Sequence, residues 1–121
     1  MYTIFLKEED LLKPEHFPVA ALLNEAGNSN VIEFVENLAK GVGSGYNFSA
    51  CAFWADLDEY DQTHTPKFYG VWVTNEAGDS VIISFPDLKH YLELLYLRLS
   101  DVHFHELPKL RQLLDNFEAK F

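Results

Sequence analysis

Residues 68–99 read FYGVWVTNEAGDSVIISFPDLKHYLELLYLRL, and they carry the clearest secondary-structure pattern of the 121-residue chain. Residues 68–75 are rich in aromatic and β-branched side chains, which is typical of a strand. Residues 76–79 predict a compact turn, and residues 80–85 return as the second strand of an antiparallel hairpin. Ser84 then stands at a helix N-cap position, with Pro86 in the first turn and Asp87 three residues after the cap.

The helix that follows Ser84 is apolar over much of its circumference, as expected for a helix that packs on more than one neighbour. One stripe consists of Leu88, Tyr91, Leu92, Leu95 and Leu99, while Leu94 and Leu97 lie off it. A last helix is predicted to start near Pro108. Its apolar side comprises Leu107, Leu110, Leu113, Leu114, Phe117 and Phe121.

The first half of the chain predicts helices followed by one further strand. Alternation over residues 2–6 favours a short strand, and residues 18–24 favour a short helix that stops near Gly27. Asn30 is placed to cap a helix with Glu33 in its first turn. Residues 46–56 have little polarity on either face, which predicts a central strand. The fold class is therefore α+β: one domain over residues 1–121, with an antiparallel meander packed by N-terminal and C-terminal helices.

The charge of the chain is strongly acidic and uneven. Nineteen Asp and Glu residues against nine Lys and Arg give a formal net charge of −10. Between Lys40 and Lys67 there is no Lys or Arg, yet this interval contains a dense acidic segment: Asp56, Asp58, Glu59 and Asp61, with Tyr60 among them. A field of this sign repels nucleic acid and anionic membranes and speeds encounter with a basic partner. The alternative is that the charge only keeps the protein soluble.

Composition also bears on location. The first ten residues lack the basic and apolar regions of a secretory signal peptide, and no apolar run approaches the ~20 residues of a membrane span. Cys51 is the single cysteine, so no disulfide can form within the chain. We expect a cytoplasmic protein that does not act at a membrane.

No complete catalytic, metal or phosphate motif is visible. The glycines at 41, 43 and 45 follow a helix and precede a strand, the reverse of a phosphate loop, which favours a helix end and turn. His103 and His105 offer two ligands with only Glu106 nearby, so we expect no metal and no cofactor. Cys51 is predicted to be buried and structural. An acid/base pair among residues 56–61 stays open as an enzymatic alternative, in which a divalent ion could take part.

From residue 68 onward the chain resembles a bacterial family. The resemblance is carried by residues 68–73 (FYGVWV), 81–88 (VIISFPDL) and 91–93 (YLE), followed by a closing amphipathic helix. These segments look like the C-terminal half of immunity proteins of contact-dependent growth inhibition systems (CdiI), of the type that guards against ribonuclease toxins. The resemblance implies a cytoplasmic inhibitor without catalytic residues that occludes the active site of one cognate toxin.

A surface for such a toxin can be argued from charge. A ribonuclease cleft that binds RNA is basic, so an inhibitor gains by presenting carboxylates where phosphates would lie, with aromatic anchors beside them. We expect the toxin-binding residues to be Asp56, Asp58, Glu59, Tyr60, Asp61, Trp72, Glu76 and Asp79. The last two extend the acidic surface if the hairpin tip and the 56–61 segment lie at one end of the sheet.

The two faces of the sheet are predicted from alternation. Residues expected toward the helices are Tyr69, Val71, Val73, Val81, Ile83 and Phe85, whereas Phe68, Trp72 and Ile82 point the other way. We expect the N-terminal helices to cover this second face; otherwise Trp72 is an exposed contact candidate. The competing function is a small acidic interaction or scaffold domain without a toxin partner.

Overall fold

Five helices and four strands make up the fold in the computed structural model, which describes residues 2–117. The helices are α1 (Phe17–Gly27), α2 (Val31–Ala39), α3 (Glu59–His64), α4 (Phe85–Asp101) and α5 (Leu107–Asp115). The strands are β1 (Ser44–Gly45), β2 (Ser49–Ala52), β3 (Val71–Asn75) and β4 (Ser80–Ile83). Three short 3₁₀ turns complete the order: Glu8–Asp10, Pro14–His16 and Trp54–Asp56.

The strands form one antiparallel sheet in the order β1-β2-β3-β4, so the predicted meander and the α+β class are confirmed. Helix α1 packs on strands β2, β3 and β4, α4 packs against α1 and α5, and α5 contacts α2. The buried apolar side chains of all these helices and of the covered sheet face join in one hydrophobic cluster. Burial of that cluster is the main favourable contribution to folding.

Two helix starts lie where the capping pattern predicts them. The hydroxyl of Ser84 accepts a hydrogen bond from the Asp87 amide at 3.3 Å at the start of α4. The Asn30 side chain accepts one from the Glu33 amide at 3.1 Å at the start of α2. The predicted stripe of α4 is buried along its whole length. In α5 Leu110 and Leu114 are buried as expected, and Phe121 lies outside the described residues.

The strand predicted over residues 2–6 is wrong. This segment is extended, but its hydrogen bonds go to asparagine side chains of α1 and its C-cap rather than to the sheet. Asn24 accepts from the amides of Phe5 and Leu6 at 2.8 and 2.9 Å and donates to the Leu6 carbonyl at 3.0 Å. Asn28 makes the equivalent pair of bonds with Thr3. Two side-chain amides therefore satisfy the backbone in place of a neighbouring strand.

The strand predicted over residues 46–56 is correct in position but wrong in extent. Only Ser49–Ala52 forms β2, which lies between β1 and β3 and is therefore interior to the sheet. The chain folds back just before it, because the Tyr46 amide donates to the Ser49 carbonyl at 2.7 Å. The following residues Trp54–Asp56 form a 3₁₀ turn. The apolar composition of residues 46–56 predicted a buried strand but did not reveal where the chain bends.

Two predictions about the sheet faces are also wrong. Tyr69 is 64% exposed instead of buried, because Gly70 has φ +95° and interrupts the strand alternation before β3 begins. A side chain at Gly70 would also collide with the Ile83 carbonyl. The second face is not covered by the N-terminal helices, since Trp72 is 38% and Ile82 is 52% exposed. Helix α1 lies on the opposite face, against the buried Val71 and Val73.

Polar contacts fasten the N-terminal segment to α4. Arg98 pairs with Asp10 at 3.0 Å, and this hydrogen bond is the main reason why the pKa of the Asp10 carboxyl is lowered. The Tyr91 hydroxyl accepts a bond from the Leu12 amide at 2.7 Å and lies 2.8 Å from Nδ1 of the buried His16. These two bonds join the segment around Leu12 and the buried His16 to the middle of α4.

Candidate functional site

Most of the acidic segment lies at the start of a short exposed helix, α3. Asp58 caps it by accepting a hydrogen bond from the Asp61 amide at 2.7 Å. Glu59, Tyr60 and Asp61 occupy its first turn and are exposed. Carboxylates at a helix N-terminus are favourable because they face the positive end of the helix dipole. The sequence thus holds a dense negative charge on a helix instead of on a flexible loop.

Asp56 has a different role from its neighbours. Its Oδ2 accepts hydrogen bonds from the amides of Phe53 at 2.7 Å and Gly43 at 2.9 Å. Gly43 lacks a Cβ, and an added one would lie 2.8 Å from this same oxygen and 2.3 Å from the Cys51 carbonyl. Asp56 therefore fastens the segment after α2 to the end of β2, and one of its oxygens is already committed to the fold.

Among the described residues, the carboxylates of α3 have no cationic partner, whereas the two arginines of α4 and α5 are paired. Arg98 binds Asp10, and Arg111 binds both Glu93 and Asp115. These pairings lower the pKa of Asp10 and Glu93 and raise that of Arg111. Within residues 2–117 no Lys or Arg forms an ion pair with the acidic residues of the 56–61 segment. Their negative charge is consequently available to an incoming partner.

The open sheet face presents an aromatic cluster next to these carboxylates. The Phe68 ring makes edge-to-face contacts with Trp54 and Trp72, with ring centroids 5.7 and 6.4 Å apart. Trp72 lies opposite Ile82 across the β3–β4 pair. Phe68 is almost fully buried by its neighbours, while Trp72 and Ile82 remain exposed. Supported by this edge-to-face contact, Trp72 presents an apolar surface in a defined position.

A hydrogen bond connects the two features. The Gln62 side chain of α3 donates to the Trp54 carbonyl at 3.1 Å. Because the Trp54 ring contacts Phe68, this bond holds the acidic helix beside the aromatic cluster. The sequence analysis put Phe68 on the same face as Trp72 but missed Trp54 and Gln62, since no local pattern reveals which side chains support another across a sheet. Tyr60 instead stacks on His64 of its own helix, with centroids 4.0 Å apart.

The hairpin tip does not join this surface. Ala52 pairs with Trp72 and Ser49 pairs with Asn75, so the chain leaves β2 toward α3 at one end of the sheet and turns after β3 at the other. Glu76 and Asp79 therefore lie at the far end from the 56–61 segment, and about 10 Å of strand separates the two. The hairpin tip and the 56–61 segment thus lie at opposite ends of the sheet, and Glu76 and Asp79 do not extend the acidic surface.

The other candidate groups have ordinary structural surroundings. His103 has φ +55°, so the His-x-His segment is not extended, and it forms the left-handed turn at the C-terminus of α4. Within the described part of the chain, no group of three or more His, Cys, Asp or Glu residues is placed to hold a metal. Cys51 is buried, and burial raises the pKa of its thiol to about 11, as expected for a structural cysteine.

Comparison with models of known protein families gives no match to this chain, and comparison with curated proteins gives none either. Among residues 2–117, no helix combines the length and the apolar character that crossing a bilayer requires. What the described residues assemble is an acidic helix held beside an exposed aromatic sheet face.

Proposed function

We propose that this protein is a cytoplasmic immunity protein that binds a basic toxin, most simply a ribonuclease, and blocks its active site. The observation that carries the proposal is the placement of unpaired carboxylates on α3 beside the supported, exposed Trp72. The resemblance of the chain from residue 68 onward to immunity proteins points to the same function. In this proposal the chain acts by binding and has no catalytic role.

The two parts of the surface have separate tasks in this proposal. Glu59 and Asp61 attract and pair with the Lys or Arg side chains that bind RNA phosphates in the toxin. Interfacial charge pairs of this kind raise the association rate and couple by about 1.5–7 kcal/mol when they are close. Trp72 and Ile82 supply apolar area that excludes water from the contact, and tryptophan is a frequent binding hot spot. Neither part alone makes a tight and selective interface.

The partner to test is a basic nuclease domain encoded immediately upstream of this chain. Co-expression followed by co-purification should give a stable complex, and the purified chain should abolish the ribonuclease activity. The double variant Glu59→Gln/Asp61→Asn should bind about 100-fold more weakly, because two lost pairs at the low end of the coupling range amount to about 3 kcal/mol. It should also show a flatter salt dependence of the association rate.

A matched control separates the site from net charge. Glu8→Gln/Glu9→Gln removes the same charge from an exposed turn elsewhere on the molecule and should leave affinity within about threefold. Trp72→Ala should weaken binding by at least about 2 kcal/mol if Trp72 is a hot spot. Equal effects of the two double variants, with unaffected binding by Trp72→Ala, would refute this interface. Absence of any basic partner would favour the acidic scaffold domain.

A further inference from the structure

A second feature lies at the other end of the sheet, where two adjoining clefts meet at Glu25. The clefts have volumes of about 420 and 630 Å³. Both are lined by Glu25 of α1 and by the aromatic side chains of Tyr2 and Phe48. Among the described residues, no Lys, Arg or His lines either cleft, and Glu76 of the hairpin tip adds a second carboxylate to the smaller one.

Two polar atoms of this region lack a hydrogen-bond partner. Glu25 uses Oε2 to accept from the Phe48 amide at 3.2 Å, but its Oε1 is buried and has no partner among residues 2–117. The hydroxyl of Ser49, a residue that is only 5% exposed, is likewise without a partner in the described chain. Both residues line the smaller cleft. Buried polar groups are nearly always satisfied, so the Glu25 oxygen, which can only accept, calls for a donor, and the Ser49 hydroxyl can accept a second bond from the same group.

The chemistry of the cleft selects a cationic donor. A carboxylate oxygen out of contact with water is stabilised most by a charged hydrogen-bond donor. Tyr2 is 54% and Phe48 is 57% exposed, so both rings can stack on a flat cation, and either can turn aside to give access to the oxygen. A guanidinium meets both demands, because it is planar, stacks on aromatic rings and carries several donors in a fixed fork. An ammonium offers no flat face.

We infer that the Glu25 cleft receives an arginine side chain of a protein partner, with its guanidinium donating to Glu25 and Ser49 between the rings of Tyr2 and Phe48. The burial of Tyr2 and the nearby negative charge of Glu25 both raise the pKa of the tyrosine. This inference rests on the proposed function only for the identity of the partner. The cleft is a separate contact from α3 and can be tested alone.

The test is a titration of the full chain, followed by amide NMR, with three blocked tripeptides: acetyl-Gly-Arg-Gly-amide and its citrulline and lysine counterparts. The arginine peptide should shift the amides of Phe48 and Ser49 with a dissociation constant on the order of 1 mM, a weak but measurable affinity. Citrulline matches arginine in shape but has no charge, so its peptide should bind at least about tenfold more weakly. The lysine peptide should fall between them.

Variants connect the binding to the two unsatisfied atoms. Glu25→Gln keeps an acceptor for the Phe48 amide and should weaken the arginine peptide at least about tenfold. Ser49→Ala should weaken it about threefold. Glu76→Gln removes one charge from the same cleft without touching Glu25 and should change affinity less than about threefold. Thermal unfolding verifies that each variant is folded. If Glu25→Gln does not fold, the effect of Ser49→Ala on the affinity for the arginine peptide tests the site instead.

Three results would overturn the inference: equal binding of the arginine and citrulline peptides, equal binding of the arginine and lysine peptides, or equal losses in Glu25→Gln and Glu76→Gln. The last would mean that the general negative field attracts the peptide. Failure here leaves the α3 surface intact as the proposed toxin contact. Conversely, toxin binding that ignores the α3 variants would sink the proposed interface while the arginine cleft stands.

Discussion

Replacing Asp56 by alanine should destabilise the fold, although this residue belongs to the acidic segment that suggests a binding role. Its Oδ2 accepts from the amides of Gly43 and Phe53, and each charge-assisted hydrogen bond contributes about 1.5–3 kcal/mol. Because the residue is exposed and water can replace part of each bond, we take the low end of that range. The expected loss is about 2–3 kcal/mol in the free energy of unfolding.

Two further variants separate the hydrogen bonds from the charge. Asp56→Asn can present its amide oxygen to both N–H groups, so it should lose only about 1 kcal/mol, the difference between charged and neutral acceptors. Glu59→Gln removes a carboxylate for which the described residues show no partner, and it should stay within about 0.5 kcal/mol of the parent chain. The predicted order of stability is therefore Glu59→Gln, then Asp56→Asn, then Asp56→Ala.

The assay is urea unfolding followed by far-ultraviolet circular dichroism. With a denaturant slope of about 1.5 kcal/mol per molar urea, the Asp56→Ala midpoint should fall by roughly 1.5 M. The slope itself should not change, since the two bonds are local. A midpoint within about 0.3 M of the parent chain would show that Asp56 does not hold the segment before β1 to the end of β2. Asp56 would then count again as a candidate toxin-binding residue.

Three other predictions concern the fold and its pH dependence. Asn24→Ala should lower the free energy of unfolding in urea by about 3 kcal/mol, because it leaves buried backbone groups unpaired. Asn28→Ala acts on an exposed segment and should lower it by about 1 kcal/mol, and equal losses would contradict the argument. His103→Gly should raise stability by about 0.5–1 kcal/mol, since glycine adopts the left-handed conformation without the cost of a side chain, and a lower melting temperature would count against it. The pKa of Asp10 is lowered in the fold, so its ionised carboxylate stabilises the protein fully at pH values above the ordinary aspartate pKa of about 3.9, and this contribution is lost as pH falls through the lower pKa of the folded state. Asp10→Asn should therefore flatten the decline of stability below about pH 4. An unchanged slope would argue against the Arg98 pairing.

Much of the fold follows from local sequence signals. The Ser84 and Asn30 caps, the α4 stripe and the hairpin all depend on contacts between residues a few positions apart, which sequence patterns record. The errors concern long-range contacts. Residues 2–6 alternate like a strand, yet Asn24 satisfies their backbone from 18 and 19 positions away. Nothing in an alternating pattern specifies which partner an extended segment will find.

The candidate site was predicted less completely than the fold. Charge density located the acidic segment, and the carboxylates there have no cationic partner in the described chain. The sequence could not distinguish Asp56, which holds the backbone, from Glu59, whose carboxylate does not. It also could not place Glu76 at the opposite end of the sheet, because that depends on the register of β2 against β3. Register is a property of paired strands and has no local signature here.

Helix α3 has a consequence for protein engineering, because its attachment and its display surface use different side chains. Asp58 closes its first turn and Gln62 donates to the Trp54 carbonyl, whereas the carboxylates of the exposed Glu59 and Asp61 form no ion pair with residues 2–117. A library that keeps the two attaching residues and varies the two exposed ones would alter partner choice at nearly constant stability. The same scaffold could thus be retargeted from a basic surface to a neutral or acidic one by changing a single helical turn.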